Sequence, residues 1–379
     1  MNVKEAPSGK WRGYDQSMRR LRRFFSSDES PKAVVFDVGT RAARALVGPR
    51  RPPDIWKAQT FFNDGALFQL GNDVERFDGA LPPDESPALE KVVRFMETYR
   101  DLFLREGGSM EDVHGVGTAV FRWLSNREEV VKHIRERTGI AFKVLDQDTE
   151  ATLSLAAIIR TAGFDASGPI TERVKDEEAI LLVDQGGGSV EISYTFPGNL
   201  SRGDRHSIDQ LGTTSLREKL FTLTPQGHIP PHLNTRPLDQ QYEDFLRFIQ
   251  ESIEGWEGYP ELSKTRIRPY GMGSAASSCL GKGNNFTHHN QVLTAEFLRE
   301  FLAKARKGFG ASNLPVKSFY ELASRKEHSD RMDSQLVQLC GLPVYLFLLD
   351  KFSLDRMRYA GYGLRYGVYV WKYGFGLDF

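Results

Sequence analysis

Hydrophobic and polar positions along this chain follow two periods, and the shorter one marks its most informative stretch. Ala179-Ile-Leu-Leu-Val183 is an unbroken apolar run that stops at Asp184, the pattern of a buried strand. Gly186, Gly187 and Gly188 follow as a turn, and Val190 to Phe196 alternates as a return strand. The same order occurs earlier: Ala33-Val-Val-Phe36, Asp37, Gly39, Thr40, and a second strand reaching Val47. The two aspartates lie 147 positions apart. A glycine turn of this kind directs successive backbone N–H groups into one concavity, which suits a phosphate oxygen. Asp184 at its mouth is a hard oxygen ligand suited to Mg²⁺. The repetition predicts two similar α/β lobes, each offering one turn to a shared cleft, with Asp37 and Asp184 facing each other across it.

The longer period predicts the helices. Leu89, Val92, Val93, Met96, Tyr99, Leu102 and Phe103 make one apolar face of a helix over 87–106, ended by Gly107-Gly108. Further helices are expected to about Arg137, over 238–254, 293–308 and 334–352, with Pro343 starting or kinking the last. Short strands are expected within 55–70, at 113–117, at 142–145 and ending at 268–271, with a Pro-rich crossing at 225–237. Strands alternating with helices indicate parallel pairing. The segment 164–178, with Gly168-Pro169 and a charged run, reads as the linker between lobe I (31–163) and lobe II (179–379).

Residues 1–30 differ from the rest. Trp11, Tyr14, Met18, Leu21 and Phe25 share one helical face, and Arg12, Arg19, Arg20, Arg22 and Arg23 the other. Such a basic amphipathic helix can lie on an anionic membrane. Docking on its own protein or on a second subunit, as in a homodimer, is the commoner use.

Composition narrows the class. Lys+Arg and Asp+Glu are both 50, so no net charge draws the chain to a nucleic-acid duplex. Two cysteines make no disulfide framework, and no apolar run approaches the ~20 residues of a membrane span. A cytoplasmic globular protein is expected.

Two further stretches carry candidate chemistry. Arg122, early in a helix after a strand, offers a fork of donors to phosphate. Glu150 lies in the first turn of a helix opened by Asp146 or Asp148, where the macrodipole favours its ionised form. An ionised carboxylate there can deprotonate an attacking water.

The paired hairpins resemble those of the actin-like ATPase and sugar kinase superfamily. Within it, five segments in order resemble the exopolyphosphatase/guanosine pentaphosphatase family. They are the first hairpin, Thr118-Ala-Val-Phe-Arg122-x-x-x-Asn126, the Glu150-Ala pair, Asp184-x-Gly-Gly-Gly-Ser-x-Glu191, and Met272-Gly273-Ser274-Ala275 with the later Gly361-Tyr-Gly-Leu-Arg365. The resemblance implies two actin-like (ribonuclease H-like) lobes with mixed sheets and an interlobe cleft. It implies a phosphoanhydride hydrolase acting on polyphosphate or a guanosine penta- or tetraphosphate, with Glu150 as base and Arg122 beside it. Gly39, Thr40, Arg41, Gly186, Gly187, Gly188, Ser189, Gly273 and Ser274 would bind phosphate. Asp37, Asp184 or Glu191 would hold one Mg²⁺, mostly through water.

The chain departs from the family in places: Thr40-Arg41-Ala42 replaces Ser-Asn-Ser, and Thr152 replaces an arginine. These changes admit a second reading, a weakly catalytic sensor of nucleotide or polyphosphate. A sugar kinase is third, without a sugar-binding signature.

Overall fold

The computed structural model describes residues 14–26, 32–50, 61–165, 168–169, 174–221, 230–231, 237–280, 288–308, 315–316 and 329–374. Trp11, Arg12, the start of the strand expected within 55–70 and most of the 225–237 crossing lie outside them.

The chain divides into two compact units. One comprises residues up to Asp146 together with those from Val368 on; the other is Gln147–Gly367. In the first, strands β1 (Lys32–Val38), β2 (Ala42–Pro49), β3 (Phe62–Leu67), β4 (Val113–Gly117) and β5 (Ala141–Val144) form a sheet in the order β3-β2-β1-β4-β5. β1, β2 and β3 pair antiparallel, while β4 and β5 run parallel to β1. Helices α1 (Tyr14–Ser26), α2 (Leu70–Arg76), α3 (Pro87–Arg105), α4 (Ala119–Trp123) and α5 (Arg127–Thr138) belong to this unit.

The second unit repeats the plan. It opens with α6 (Gln147–Thr161) and a two-residue pair, β6 (Phe164–Asp165) with β7 (Gly168–Pro169). Its sheet holds β8 (Ala179–Gln185), β9 (Ser189–Phe196), β10 (Asn199–Asp209), β11 (Ile267–Gly273), β12 (Val292–Thr294) and β13 (Arg356–Tyr359). Their order is β10-β9-β8-β11-β13-β12. β8, β9 and β10 are antiparallel, and β11 runs parallel to β8. The helices are α7 (Thr213–Phe221), α8 (Leu238–Glu254), α9 (Ser274–Ser278), α10 (Ala295–Gly308), α11 (Ser329–Lys351) and α12 (Leu364–Tyr369). Mixed sheets flanked by helices agree with the expected fold class. Pro343 lies inside α11 rather than at its start. Among the described residues no helix is long and apolar enough to cross a membrane.

The boundary differs from the expected one. Segment 164–178 lies inside the second unit, and the division falls at Asp146/Gln147. The cause is the apolar face of α6, where Leu155, Ile158 and Ala162 pack with Ile180, Leu182 and Tyr270 of β8 and β11. A Gly/Pro-rich stretch marks a loop, and only packing decides which core the flanking helix joins. The chain from Val368 returns to the first unit because Tyr369 stacks edge-on against Phe61, 5.2 Å between centroids, and its hydroxyl donates to Pro49 O.

Local chemistry explains the elements. Ser86 caps α3, its Oγ accepting from Leu89 N at 3.1 Å with Pro87 at the first helical position. Asp73 Oδ2 in turn accepts from Ser86 Oγ (2.7 Å) and Ala88 N (2.9 Å). α1 buries Met18 and Leu21 in the first core, and Phe25 meets Phe103 at 5.9 Å. Arg19, Arg20, Arg22 and Arg23 are exposed. Met18, Leu21 and Phe25 of the apolar stripe thus dock on their own protein.

Candidate phosphate-binding turns

Both units end their first strand the same way. β1 and β8 are buried along their length except at Asp37 and Asp184, each the last residue but one and each half-buried. Gly39 N donates to Ala42 O at 2.9 Å, and Gly186 N to Ser189 O at 3.0 Å, closing a four-residue turn in each unit.

A second repeat fixes those turns. Gln69-Leu70-Gly71 opens α2 and Gln210-Leu211-Gly212 opens α7, and both glutamines are left-handed, at φ 57° and 67°. In the first unit Gly71 N donates to Thr40 O (3.0 Å), and the N–H groups of Phe68 and Gln69 donate to Arg41 O (2.9 Å each). In the second, Thr213 N donates to Gly186 O (3.0 Å), while Thr214 N (2.8 Å) and Ser215 N (3.2 Å) donate to Gly187 O. Because a trans peptide carries its C=O and following N–H in opposite directions, these contacts turn the amides of Arg41, Ala42, Gly187 and Gly188 away from the helices. That is the polarity an oxyanion requires.

The close approach needs glycine. A Cβ on Gly212 would stand 2.3 Å from the Gly187 backbone carbon. Gly273, at φ +120°, would place one 2.3 Å from Gln185 O. The parallel neighbour of each turn's first strand, β4 or β11, closes it in the same register: Val38 pairs with Gly117, and Gln185 with Gly273. Gly117-Thr118-Ala119 and Gly273-Ser274-Ala275 are therefore equivalents. Tyr345 holds the second, donating to Met272 O. Burial first, and then the Asp184 charge, push that phenol well above its ordinary range, so it stays protonated.

The side chains beside the turns differ. Directly opposite Asp37 on β2 is Arg44; directly opposite Asp184 on β9 is Glu191. Glu191 is 7% exposed and accepts a hydrogen bond from Ser189, itself 2% exposed. Ser189 was expected to face phosphate; its hydroxyl is directed to Glu191 instead. Glu191 also faces Ser207 across β10, and Ser207 Oγ accepts from Gln147 Nε2 at 3.3 Å. Gln147 begins α6, so Glu150, half-buried in the first turn, starts beside the Asp184–Glu191 row.

Arg122 lies on α4 of the first unit, half-buried, and its Nη1 donates to Leu145 O at 3.1 Å. Asn126 is structural: it accepts from Leu81 N (3.0 Å) and donates to Leu81 O (3.1 Å). Sequence reading missed Arg44, Ser207 and both Gln-Leu-Gly repeats. The repeated tripeptide was the available signal.

These two units place the chain in the actin-like α/β class. It belongs to the Ppx/GppA phosphatase family, which its residues 57–373 match. A crystal structure of the Aquifex aeolicus Ppx/GppA family member superposes with a TM-score of 0.62 at 18% identity, covering 92% of this chain and 99% of that one. An exopolyphosphatase from Cytophaga hutchinsonii gives 0.59 at 16%, covering 92% and 99%. By sequence, a bifunctional 3-dehydroquinate synthase/phosphatase of Fusobacterium nucleatum is 23% identical over 61% of this chain but only 31% of its own length. A putative exopolyphosphatase of Haemophilus influenzae is 24% identical over 69% of this chain and 70% of its own.

Proposed function

We propose that this protein hydrolyses a terminal phosphoanhydride bond, of inorganic polyphosphate or of a guanosine penta- or tetraphosphate. The observation that carries the reading is the second unit's row of groups. Outward amides at Gly187 and Gly188 lie in the turn joining the strands of the Asp184–Glu191 pair, and the helix bearing Glu150 begins at Gln147, bonded to the strand that faces Glu191. Glu150 takes the proton of the attacking water. The outward amides receive phosphoryl oxygens as charge shifts onto them. In the first unit, Arg122 and the Thr40–Arg41 turn contact phosphate, and Gly273-Ser274 does so in the second.

Among the described residues no group of three or more His, Cys, Asp or Glu could hold a metal. The carboxylates at Asp184 and Glu191, with Asp37 as the third candidate, suit a Mg²⁺ that keeps most of its water. Bound there, the ion would neutralise charge on the phosphate chain.

The test is phosphate release with Mg²⁺ from long polyphosphate, guanosine pentaphosphate, ATP and pyrophosphate. Release from either of the first two, well above the others, is expected. Arg41 and exposed Arg44 at the first turn favour polyanion binding with or without turnover. Mg²⁺-dependent binding without any release would therefore replace the hydrolase by the sensor.

A further inference from the structure

His289 is 3% exposed and sits at the far end of α6. Gly361 N donates to its Nδ1 at 3.1 Å. An Nδ1 that accepts carries no proton, so Nε2 holds it and donates to Thr161 O, also at 3.1 Å. Thr161 is the last residue of α6, where carbonyls have no partner within the helix. The next residue continues the grip. Asn290, left-handed at φ 64°, donates from Nδ2 to Ala162 O (3.4 Å) and from its backbone to Tyr359 O (2.9 Å). Arg358 Nη1 donates to Asn290 O at 3.2 Å.

The middle of α6 is gripped by the same downstream segment. A Cβ on Gly367 would lie 1.8 Å from Leu153 O, so α12 rests directly on the α6 backbone one turn beyond Glu150. The stretch from Tyr359 to Gly367 therefore holds α6 at its middle and at its last residue, and His289 is the clasp at the latter.

We propose that His289 is a positioning residue for Glu150. Its neutral imidazole fixes where α6 sits along its axis, and protonation undoes this. The inference rests on Glu150 being the base, about 16 Å away along eleven helical residues. Protonating Nδ1 forfeits the Gly361 bond and places a charge in an aromatic nest. Tyr362 stands edge-on at 4.7 Å and Tyr270 of β11 lies stacked at 6.5 Å. Among the described residues, Arg358 of β13 and the Arg268–Glu178 pair act on the neighbouring Tyr270 phenol. α6 contributes exposed Arg160 in its last turn. The clasp needs an unprotonated Nδ1, so it is intact where the imidazole is neutral and is lost as pH falls and the ring gains its second proton.

Hydrogen exchange of the α6 amides, corrected for intrinsic rates, tests this at about pH 8 and about pH 5, either side of that range. In the wild type, exchange should rise about tenfold at the lower pH, the worth of one buried hydrogen bond. His289→Gln keeps a donor and an acceptor but cannot titrate, and should remove that rise. His289→Phe keeps the ring and loses both bonds, so α6 should exchange about tenfold faster at both pH values while β8 and β11 stay protected. Turnover on the best substrate should show an acid limb in the wild type that His289→Gln lacks, with KM unchanged. Wild-type exchange that ignores pH, or an acid limb surviving in His289→Gln, overturns the proposal. If exchange responds as described but the turnover profile does not, His289 is structural only and the proposal falls. Should Glu150→Gln leave turnover intact, the reading of Glu150 fails, while the exchange result still reports the clasp.

Discussion

The two turns share a backbone and differ in charge. Each has an aspartate at the last position but one of a buried strand, a four-residue turn, and a Gln-Leu-Gly helix start that draws the turn's carbonyls. In the second unit the aspartate faces Glu191; in the first it faces Arg44. Residues directly opposite on antiparallel strands project to the same face. Asp37 and Arg44 therefore partly cancel, whereas Asp184 and Glu191 add. On the proposed reading, backbone geometry suits both turns to an anion, and one cross-strand position sets which of them also suits a cation.

The largest expected effect tests which unit holds the base. Glu150→Gln should lower turnover by about 10²–10⁴-fold with little change in substrate binding, as measured by phosphate release and by calorimetry on the inactive variant. Turnover near the wild-type rate would remove Glu150 from the mechanism.

Next come the two equivalent glycines. Gly212→Ala drives a Cβ into backbone, which cannot yield, and should cost about 3 kcal/mol. Gly71→Ala meets only Thr40 Cγ2, at 2.7 Å, and a side-chain rotation relieves it. Its cost should stay below about 1 kcal/mol in urea unfolding. Equal costs would mean that the helix starts do not clamp the two turns differently.

The charge difference can be exchanged directly. Asp184→Asn should weaken Mg²⁺ binding by about tenfold more than Asp37→Asn, followed by calorimetry. Arg44→Glu gives the first turn the charges of the second and should add a weak Mg²⁺ site. Equal losses in the two aspartate variants would sink the comparison. The smallest effect is Arg122→Lys, where a point charge replaces a fork. Turnover should drop by roughly tenfold, with a smaller rise in KM.

Much of this was legible before any coordinates. The hairpins carried unbroken apolar runs, and α8 spans the 238–254 expected from its periodicity. β10 was not legible. Arg202, Asp204 and Arg205 are exposed on an edge strand whose pairing comes from backbone alone, so no alternation marks it. Nor was the role of His289, whose partners Thr161 and Gly361 are remote in sequence. Ser189 adds a contact its motif does not reveal: its hydroxyl donates to a carboxylate two residues on.

The return of the chain to its first unit has a consequence for synthesis. Pro49, Asp112 and His114 leave the ribosome early, yet their partners Tyr369 and Tyr373 emerge only after the whole second unit. The second unit, Gln147–Gly367, is an insertion that can close while the first still lacks its final piece. The unit made first is therefore completed last. A nascent chain paused before Val368 would carry a finished second unit and a first unit whose β2 and β4 contacts with Tyr369 and Tyr373 have yet to form.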